Sequence, residues 1–350
     1  MPRAGVLLGA EAGPRGVKKN LRVPSPEPHD MSLNKYCLEV PYEMLKLATN
    51  NFDKKEQLGS GGFGVVYRGT QPDGTECAVK ALDIPKESGF EEEVRVLSKF
   101  RHPNLVILMG FARHNSKRFL VYELLEGGDV YRRLQLSGSK VKDFSWRERA
   151  CAAYDSACGL SHLHHQNPKV FHRDIKTPNI LLTRSGTAKM ADFGLACLSE
   201  HKSHKVGHFA GTVGYVCPHY VSTNVVDERS EVYSFGIVLL ELLTACPAAW
   251  TANSSEDYHF LVNSVDGDLV RLQGLLDKNA RWPQDVAREI GDLALRCTTY
   301  PNHELRPDFT EVVRTLRPLR DAPDAPTDRC QQLPQQQPPQ QQPPQQQPPQ

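Results

Sequence analysis

The stretch Phe171-His172-Arg173-Asp174-Ile175-Lys176-Thr177-Pro178-Asn179-Ile180-Leu181-Leu182 constrains this chain more than any other. A carboxylate, an ammonium and a carboxamide follow one another at two- and three-residue spacing, between an apolar helix-like run and a strand-like Ile-Leu-Leu. Such a trio suits chemistry in which a hydroxyl is aimed at a phosphate. Asp174 would accept the hydroxyl's hydrogen bond, Lys176 would neutralise phosphoryl oxygens, and Asn179 would hold a magnesium ion. Ala191-Asp192-Phe193-Gly194 follows and sets a second carboxylate on a glycine-terminated turn, suited to another metal position.

Upstream lies Leu58-Gly59-Ser60-Gly61-Gly62-Phe63-Gly64-Val65-Val66-Tyr67-Arg68-Gly69. The spacing Gly-x-Gly-x-x-Gly alone does not discriminate, because dinucleotide-binding loops share it. In those loops the glycines open a helix. Here β-branched and aromatic residues run on to Gly69, Gln71-Pro72-Asp73-Gly74 makes a turn, and Glu76 to Leu82 reads as a returning strand. A hairpin with glycines at one edge lets backbone amides close over phosphates without Cβ clashes. Lys80 in the second strand is a costly buried cation unless a carboxylate meets it. The helix-like Phe90 to Ser98 offers Glu91, Glu92 and Glu93, with Val94 and Leu97 marking one face.

With 350 residues the chain has ample core for one large domain or two smaller ones. Its net charge of +1 leaves no electrostatic footprint for nucleic acid. Nine scattered cysteines without a Cys-x-x-Cys argue for free thiols in a reducing, cytoplasmic setting, not a disulfide frame or zinc site. Apolar runs such as Ile237 to Leu240 fall far short of the ~20 residues of a membrane span, and Val6-Leu7-Leu8 is too brief for a signal-peptide core. Residues 1–40 and the Pro/Gln-rich residues 318–350 read as disordered flanks. Between them, Tyr42 to Thr49 has helical spacing, Val106 to Phe111 and Arg118 to Glu123 are strand candidates, and Glu126-Gly127-Gly128-Asp129 reads as a hinge. Later helices are expected over Tyr233–Leu243, Leu269–Leu276, Asp285–Cys297 and Phe309–Leu316. His162, His164 and His165 lack a surrounding cysteine or carboxylate set and read as structural, not metal-binding.

The glycine loop, Lys80, a Glu followed by Val-x-x-Leu, Asp174 to Asn179, and Asp192 resemble, in order and spacing, the motifs of protein kinases, over about three-quarters of the chain from Ala48 to Leu316. Ala48-Thr49-Asn50-Asn51-Phe52, Trp146, Arg149, Gly159-Leu160-x-x-Leu163-His164 and Glu231-Val232-Tyr233-Ser234-Phe235-Gly236 are similar to receptor-like and Pelle/interleukin-receptor-associated kinases. The resemblance implies an α+β bilobal fold over residues 41–317, with a small β-rich N-lobe carrying one main helix and a larger helical C-lobe. It implies transfer of the γ-phosphoryl group from ATP, with Mg2+, to serine or threonine of a protein substrate, under an upstream receptor or kinase.

Residue by residue, the resemblance selects Glu93 to pair with Lys80, which grips the α- and β-phosphates. Leu58, Gly59, Ser60, Gly61, Gly62, Phe63 and Gly64 cover the nucleotide. Tyr122 takes the gatekeeper position, the Glu123 carbonyl and Leu125 amide bond the adenine, and Leu58, Val66, Ala78 and Leu181 sandwich it. Asn179 and Asp192 hold the metal, while Asp174 and Lys176 act on hydroxyl and phosphoryl group. His172, Phe193, Leu97 and Leu108 fall where kinases stack an apolar spine.

Arg173 beside the catalytic Asp is, on this pattern, an uncompensated cation awaiting a phosphorylated loop residue, with Ser203 the first candidate and Ser199 the second. Thr212 is expected against Asp174 and Lys176. Two departures stand out. Cys217-Pro218-His219 replaces the usual Ala-Pro-Glu and deprives Arg306 of its carboxylate, and Glu231 replaces an Asp, so its bond to the backbone near His172 and Arg173 is expected to be looser. These departures favour one alternative, an ATP-binding pseudokinase scaffold. A nucleotide-binding oxidoreductase rests on Gly59, Gly61 and Gly64 alone and fails on the hairpin that follows.

Overall fold

The computed structural model describes Leu33 and residues 37–61, 64–83, 87–136, 144–207, 209–251 and 257–322. Gly62, Phe63, nearly all of the leader and the Pro/Gln-rich tail lie outside the described residues.

The N-terminal lobe comprises α1 (Tyr42–Ala48), β1 (Gln57–Gly61), β2 (Gly64–Thr70), β3 (Glu76–Asp83), α2 (Glu87–Lys99), β4 (Leu108–His114) and β5 (Lys117–Glu123). Its five strands form one antiparallel sheet in the order β1-β2-β3-β5-β4. The β2–β3 turn closes because Gly74, at φ 86°, donates to Gln71 O while Asp73 Oδ1 accepts from Thr75 N at 2.9 Å. Side chains of β5 alternate. Phe119 and Val121 share one apolar cluster with Val79 and Leu45 of α1, whereas Leu120 and Tyr122 join Phe90, Val94 and Leu97 of α2 in the other. Tyr42 stacks on His114 at 3.8 Å between centroids, which fastens α1 to the sheet. The ordered edge begins before residue 41: Phe111 N donates to Leu38 O and Val40 N to Phe111 O, so residues 38–40 run parallel along β4.

The larger lobe continues with α3 (Val130–Gln135), α4 (Trp146–His164), β6 (Lys169–Phe171), β7 (Ile180–Leu182), β8 (Ala188–Met190), β9 (Cys197–Ser199) and β10 (Ser203–Lys205). Then come α5 (Pro218–Thr223), β11 (Val225–Asp227), α6 (Glu228–Thr244), β12 (Ala249–Thr251), β13 (Tyr258–Phe260), α7 (Leu261–Val265), α8 (Leu269–Gly274), α9 (Gln284–Cys297) and α10 (Phe309–Arg320). Capping boxes start α4 at Ser145 with Glu148 and α6 at Asp227 with Ser230. From Ser230 to Thr244 every residue of α6 but Ser234 is buried, as befits a helix apolar nearly all round at the centre of its lobe. Short ladders pair β6 with β9, β7 with β8, and β10 with β11. Helix α10 runs four residues past the expected Leu316, and Arg147 bonds Arg320 O beyond it. The architecture is the expected α+β arrangement of a five-stranded lobe and a helical lobe.

Candidate active site

The two lobes meet along residues 126–129. Gly127 N donates to Leu182 O and Leu182 N to Gly128 O, both at 2.8 Å, so β7 lies against the hinge. A Cβ on Gly127 would fall 2.5 Å from Thr183 O, which is why a glycine stands there. Around the cleft, Val66, Ala78 and Leu181 are only half-buried and Leu58 is 37% exposed, the pattern of an apolar surface left open between lobes. Gly59, Ser60 and Gly61 lie in β1 opposite Val66, Val65 and Gly64. Gly64 has its own packing reason: at φ 120°, a Cβ would sit 2.0 Å from Ala81 O. The Glu123 carboxylate is taken by Lys189, at 2.7 and 2.9 Å, and by Ile107 N.

Lys80, on β3, reaches two carboxylates: Asp192 Oδ1 at 2.7 Å and Glu93 Oε2 at 3.4 Å. Burial works against its charge, but Glu93 and Asp192 outweigh that and hold the ammonium above its ordinary range. For Asp192 the balance is the mirror image: burial raises its carboxyl, Lys80 lowers it by more, and it stays below the usual range. Glu93 is 1% exposed, and its Oε1 accepts from Tyr122 OH at 2.7 Å and from Phe193 N at 3.1 Å. Burial, then the Glu93 charge, push the Tyr122 phenol well up. Glu92 instead faces outward to Arg95. Helix α2 is thereby fixed with Glu93 inward.

Asp174 is buried, and three donors meet its carboxylate. Its Oδ2 meets Lys176 Nζ at 2.7 Å and Asn179 Nδ2 at 3.1 Å, and its Oδ1 accepts from Thr212 Oγ1 at 2.6 Å. Lys176 Nζ donates to the same Thr212 oxygen at 2.8 Å, so Thr212 does meet both residues. Arg173 and Asp192 both hold left-handed backbone, φ 66° and 64°, an unfavourable conformation for residues with a Cβ. Arg173 N donates to Glu231 Oε1 at 2.6 Å, a tight bond where a loose one was expected. The longer side chain is braced because His164 Nε2 holds its other oxygen at 2.8 Å. Burial raises the Glu231 carboxyl, but the bond to His164, the nearby His164 and His172 rings and the Arg173 N–H leave it lowered overall. His164 thus serves a carboxylate, and among the described residues no group of three or more His, Cys, Asp or Glu could hold a metal ion. Of the spine residues, His172 and Phe193 pack ring to ring at 4.6 Å, and Leu97 and Leu108 are buried in the same cluster.

Asp192 and Asn179 offer a carboxylate and a carboxamide oxygen, hard donors that suit a small divalent ion completing its shell with phosphate and water. Asn179 Nδ2 is spent on Asp174, which turns its amide oxygen away from that carboxylate.

In the segment after Asp192, Ser203 is exposed, whereas Ser199 is 5% exposed and its hydroxyl donates to Ser203 O and accepts from His201 N. Two donors of Arg173, expected to be an uncompensated cation, are met within the fold by neutral groups. Its Nε donates to Tyr220 OH at 2.9 Å and its Nη1 to Leu195 O at 3.1 Å. Arg306, buried, donates to Cys217 Sγ, Arg229 O and Thr299 O, while its Nη2 has no partner among the described residues. His219 stacks on His303, with centroids 3.9 Å apart. Sequence reasoning missed Tyr220, and it missed Glu241, whose Oε2 accepts from Tyr215 OH at 2.7 Å and Thr177 Oγ1 at 3.0 Å. Only a Glu within the apolar run of α6 hinted at the latter.

Residues 52–316 match the protein kinase domain family. A probable receptor-like protein kinase of Arabidopsis thaliana is 40% identical over 60% of this chain and 26% of its own length. A probable leucine-rich repeat receptor-like protein kinase of the same plant is 35% identical over 79% of this chain and 30% of its own. A probable LRR receptor-like serine/threonine-protein kinase, also from Arabidopsis thaliana, is 36% identical over 78% and 46% respectively. The chain therefore spans less than half the length of these relatives. No helix among the described residues is long and apolar enough to cross a membrane.

Proposed function

The chain belongs to the protein kinase domain family, and from that premise we propose that it is a receptor-like, Pelle-type serine/threonine kinase using ATP and Mg2+ on protein hydroxyls. The observation that carries this reading is the joining of Lys80 to both Glu93 and Asp192, beside an Asp174 oriented by Lys176, Asn179 and Thr212. Bound ATP would supply the phosphoryl group, and Mg2+ at Asp192 and Asn179 would neutralise its oxygens. Lys80, kept charged by its two carboxylates, binds phosphate oxygens, and Glu93 fixes its direction. The glycine strand of β1 and β2 lies over them, and Leu58, Val66, Ala78, Leu181 and the backbone of Glu123 and Leu125 receive the base. Asp174 orients the acceptor hydroxyl and takes its proton on the carboxylate. Lys176 stabilises charge on the group in transit, and Thr212 steadies both.

The substrate is a protein, the activator an upstream receptor or kinase, and the setting cytoplasmic. Ser203 is the loop hydroxyl open to modification. It lies opposite Asp227 across the β10–β11 pair.

The test is transfer of label from ATP with magnesium to a serine/threonine-rich protein, with Asp174→Asn alongside. Wild type should label the substrate, and the variant should be slower by about 10²-fold or more. The orphaned Arg306 Nη2 favours one other reading, a pseudokinase scaffold. ATP binding without transfer, even after treatment with an upstream kinase, would establish that reading instead.

A further inference from the structure

We infer that Tyr220 is a positioning residue: its buried hydroxyl holds the Arg173 guanidinium, and so keeps the segment from Leu195 to Tyr220 in its substrate-ready path without a phosphorylated loop residue. The inference rests on the kinase reading above and concerns how that site is regulated.

The geometry is specific. Arg173 follows the spine residue His172 and precedes Asp174, and its backbone is locked by φ 66° and by the bond from its N–H to Glu231 on central α6. From this fixed base the side chain reaches both ends of the segment. Nη1 donates to Leu195 O near its start, and Nε donates to Tyr220 OH at its end. The guanidinium carbon also lies 5.9 Å from the Tyr220 ring centroid. Tyr220 is 4% exposed, and its oxygen accepts a second N–H, from Ala210 at 3.2 Å. A phenol oxygen has two lone pairs, and here both are used. Ala210 stands two residues before Thr212, whose hydroxyl bridges Asp174 and Lys176. One hydroxyl therefore links the cation next to the catalytic carboxylate to the backbone that aims Thr212.

A phenol and a carbonyl are neutral acceptors, and in this part-buried site they take two donors that a dianion would otherwise meet. The serines offer no better arrangement. Ser199 is turned inward, and a phosphate on Ser203 would face Asp227 across the β10–β11 pair, where like charges repel. In this chain the loop is latched by a neutral hydroxyl, and phosphorylation of Ser203 is predicted to loosen it.

The experiment uses the full chain, phosphatase-treated, as wild type and as Tyr220→Phe, which keeps the ring and removes the oxygen. Phosphatase-treated wild type should keep the kcat of the untreated protein. Tyr220→Phe should lose about tenfold in kcat with KM for ATP unchanged. A merely structural loss would move thermal stability and both constants together. Amide exchange over residues 209–215 should speed up in Tyr220→Phe, a readout independent of phosphate transfer. Wild type that loses activity on dephosphorylation and regains it on loop phosphorylation would overturn the inference. So would a Tyr220→Phe protein with unchanged kcat and exchange. Should no form transfer phosphate, the kinase reading fails, and amide exchange alone then decides the latch: faster exchange upholds it and unchanged exchange refutes it.

Discussion

Glu241 is fully buried in α6, and burial, only partly opposed by its bonds to Tyr215, Thr177 and Ala248 N, lifts its carboxyl to about 7. In the unfolded chain it ionises near 4.5. The folded state therefore binds the extra proton between these values, and stability falls as pH rises through that window, then levels off. At about 1.4 kcal/mol for each pH unit between the two values, the loss is roughly 3 kcal/mol. Glu241→Gln should remove this slope in urea titrations at pH 5 to 8. Glu231 has the opposite sign: its carboxyl is lowered, so its contribution is present above about 4.5 and is lost on acidification. A second expectation concerns Tyr122, whose hydroxyl bonds Glu93. Tyr122→Phe should cost about 1.5–3 kcal/mol in denaturant unfolding, the value of a hydrogen bond to a charged group. The position of Tyr122 could be read from motif register. Its bond could not, because Glu93 is 29 residues away and meets it only once α2 packs on β5.

At the scale of elements, the β10–β11 ladder sets Ser203 directly across from Asp227, which also caps α6 by accepting from Ser230 N at 2.7 Å. Ser203→Glu places like charges opposite one another and should lower stability by about 0.2–1 kcal/mol, with Ser203→Lys raising it by a similar amount. Paired thermal melts in low salt would reveal the opposite signs. Long periodic elements such as α9 were legible to within a residue, since a helix with one apolar face announces its period. The three-residue strands β9, β10 and β11 were not, because each is stabilised by a partner distant in the chain and carries no period of its own. The end of α10 was misplaced for a related reason: its last turn contains Pro318, yet it is held by Arg147 of α4.

Across the whole molecule, Arg306 is 1% exposed and bonds sulfur and carbonyl oxygens, with Nη2 left without a partner among the described residues. An unsatisfied buried donor costs about 1–3 kcal/mol. His219→Glu should recover part of that by offering a carboxylate from the first turn of α5, raising the melting temperature by roughly 2–4 °C per kcal/mol recovered. An unchanged or lower melting temperature would show that the His219–His303 stack contributes as much as the absent ion pair. The sequence by itself determined the trio Asp174, Lys176 and Asn179, because its members are neighbours within six residues, and the glycine hairpin with Lys80, because a turn joins its strands. Only the tertiary structure decided that Glu93, already selected as the partner of Lys80, also accepts from Tyr122, and that Glu231 is braced by His164. It also decided that Arg173 is already held by Tyr220. Those contacts join residues 29 to 67 positions apart, and a buried charge finds such partners only when whole elements close around it and exclude the water that would otherwise serve.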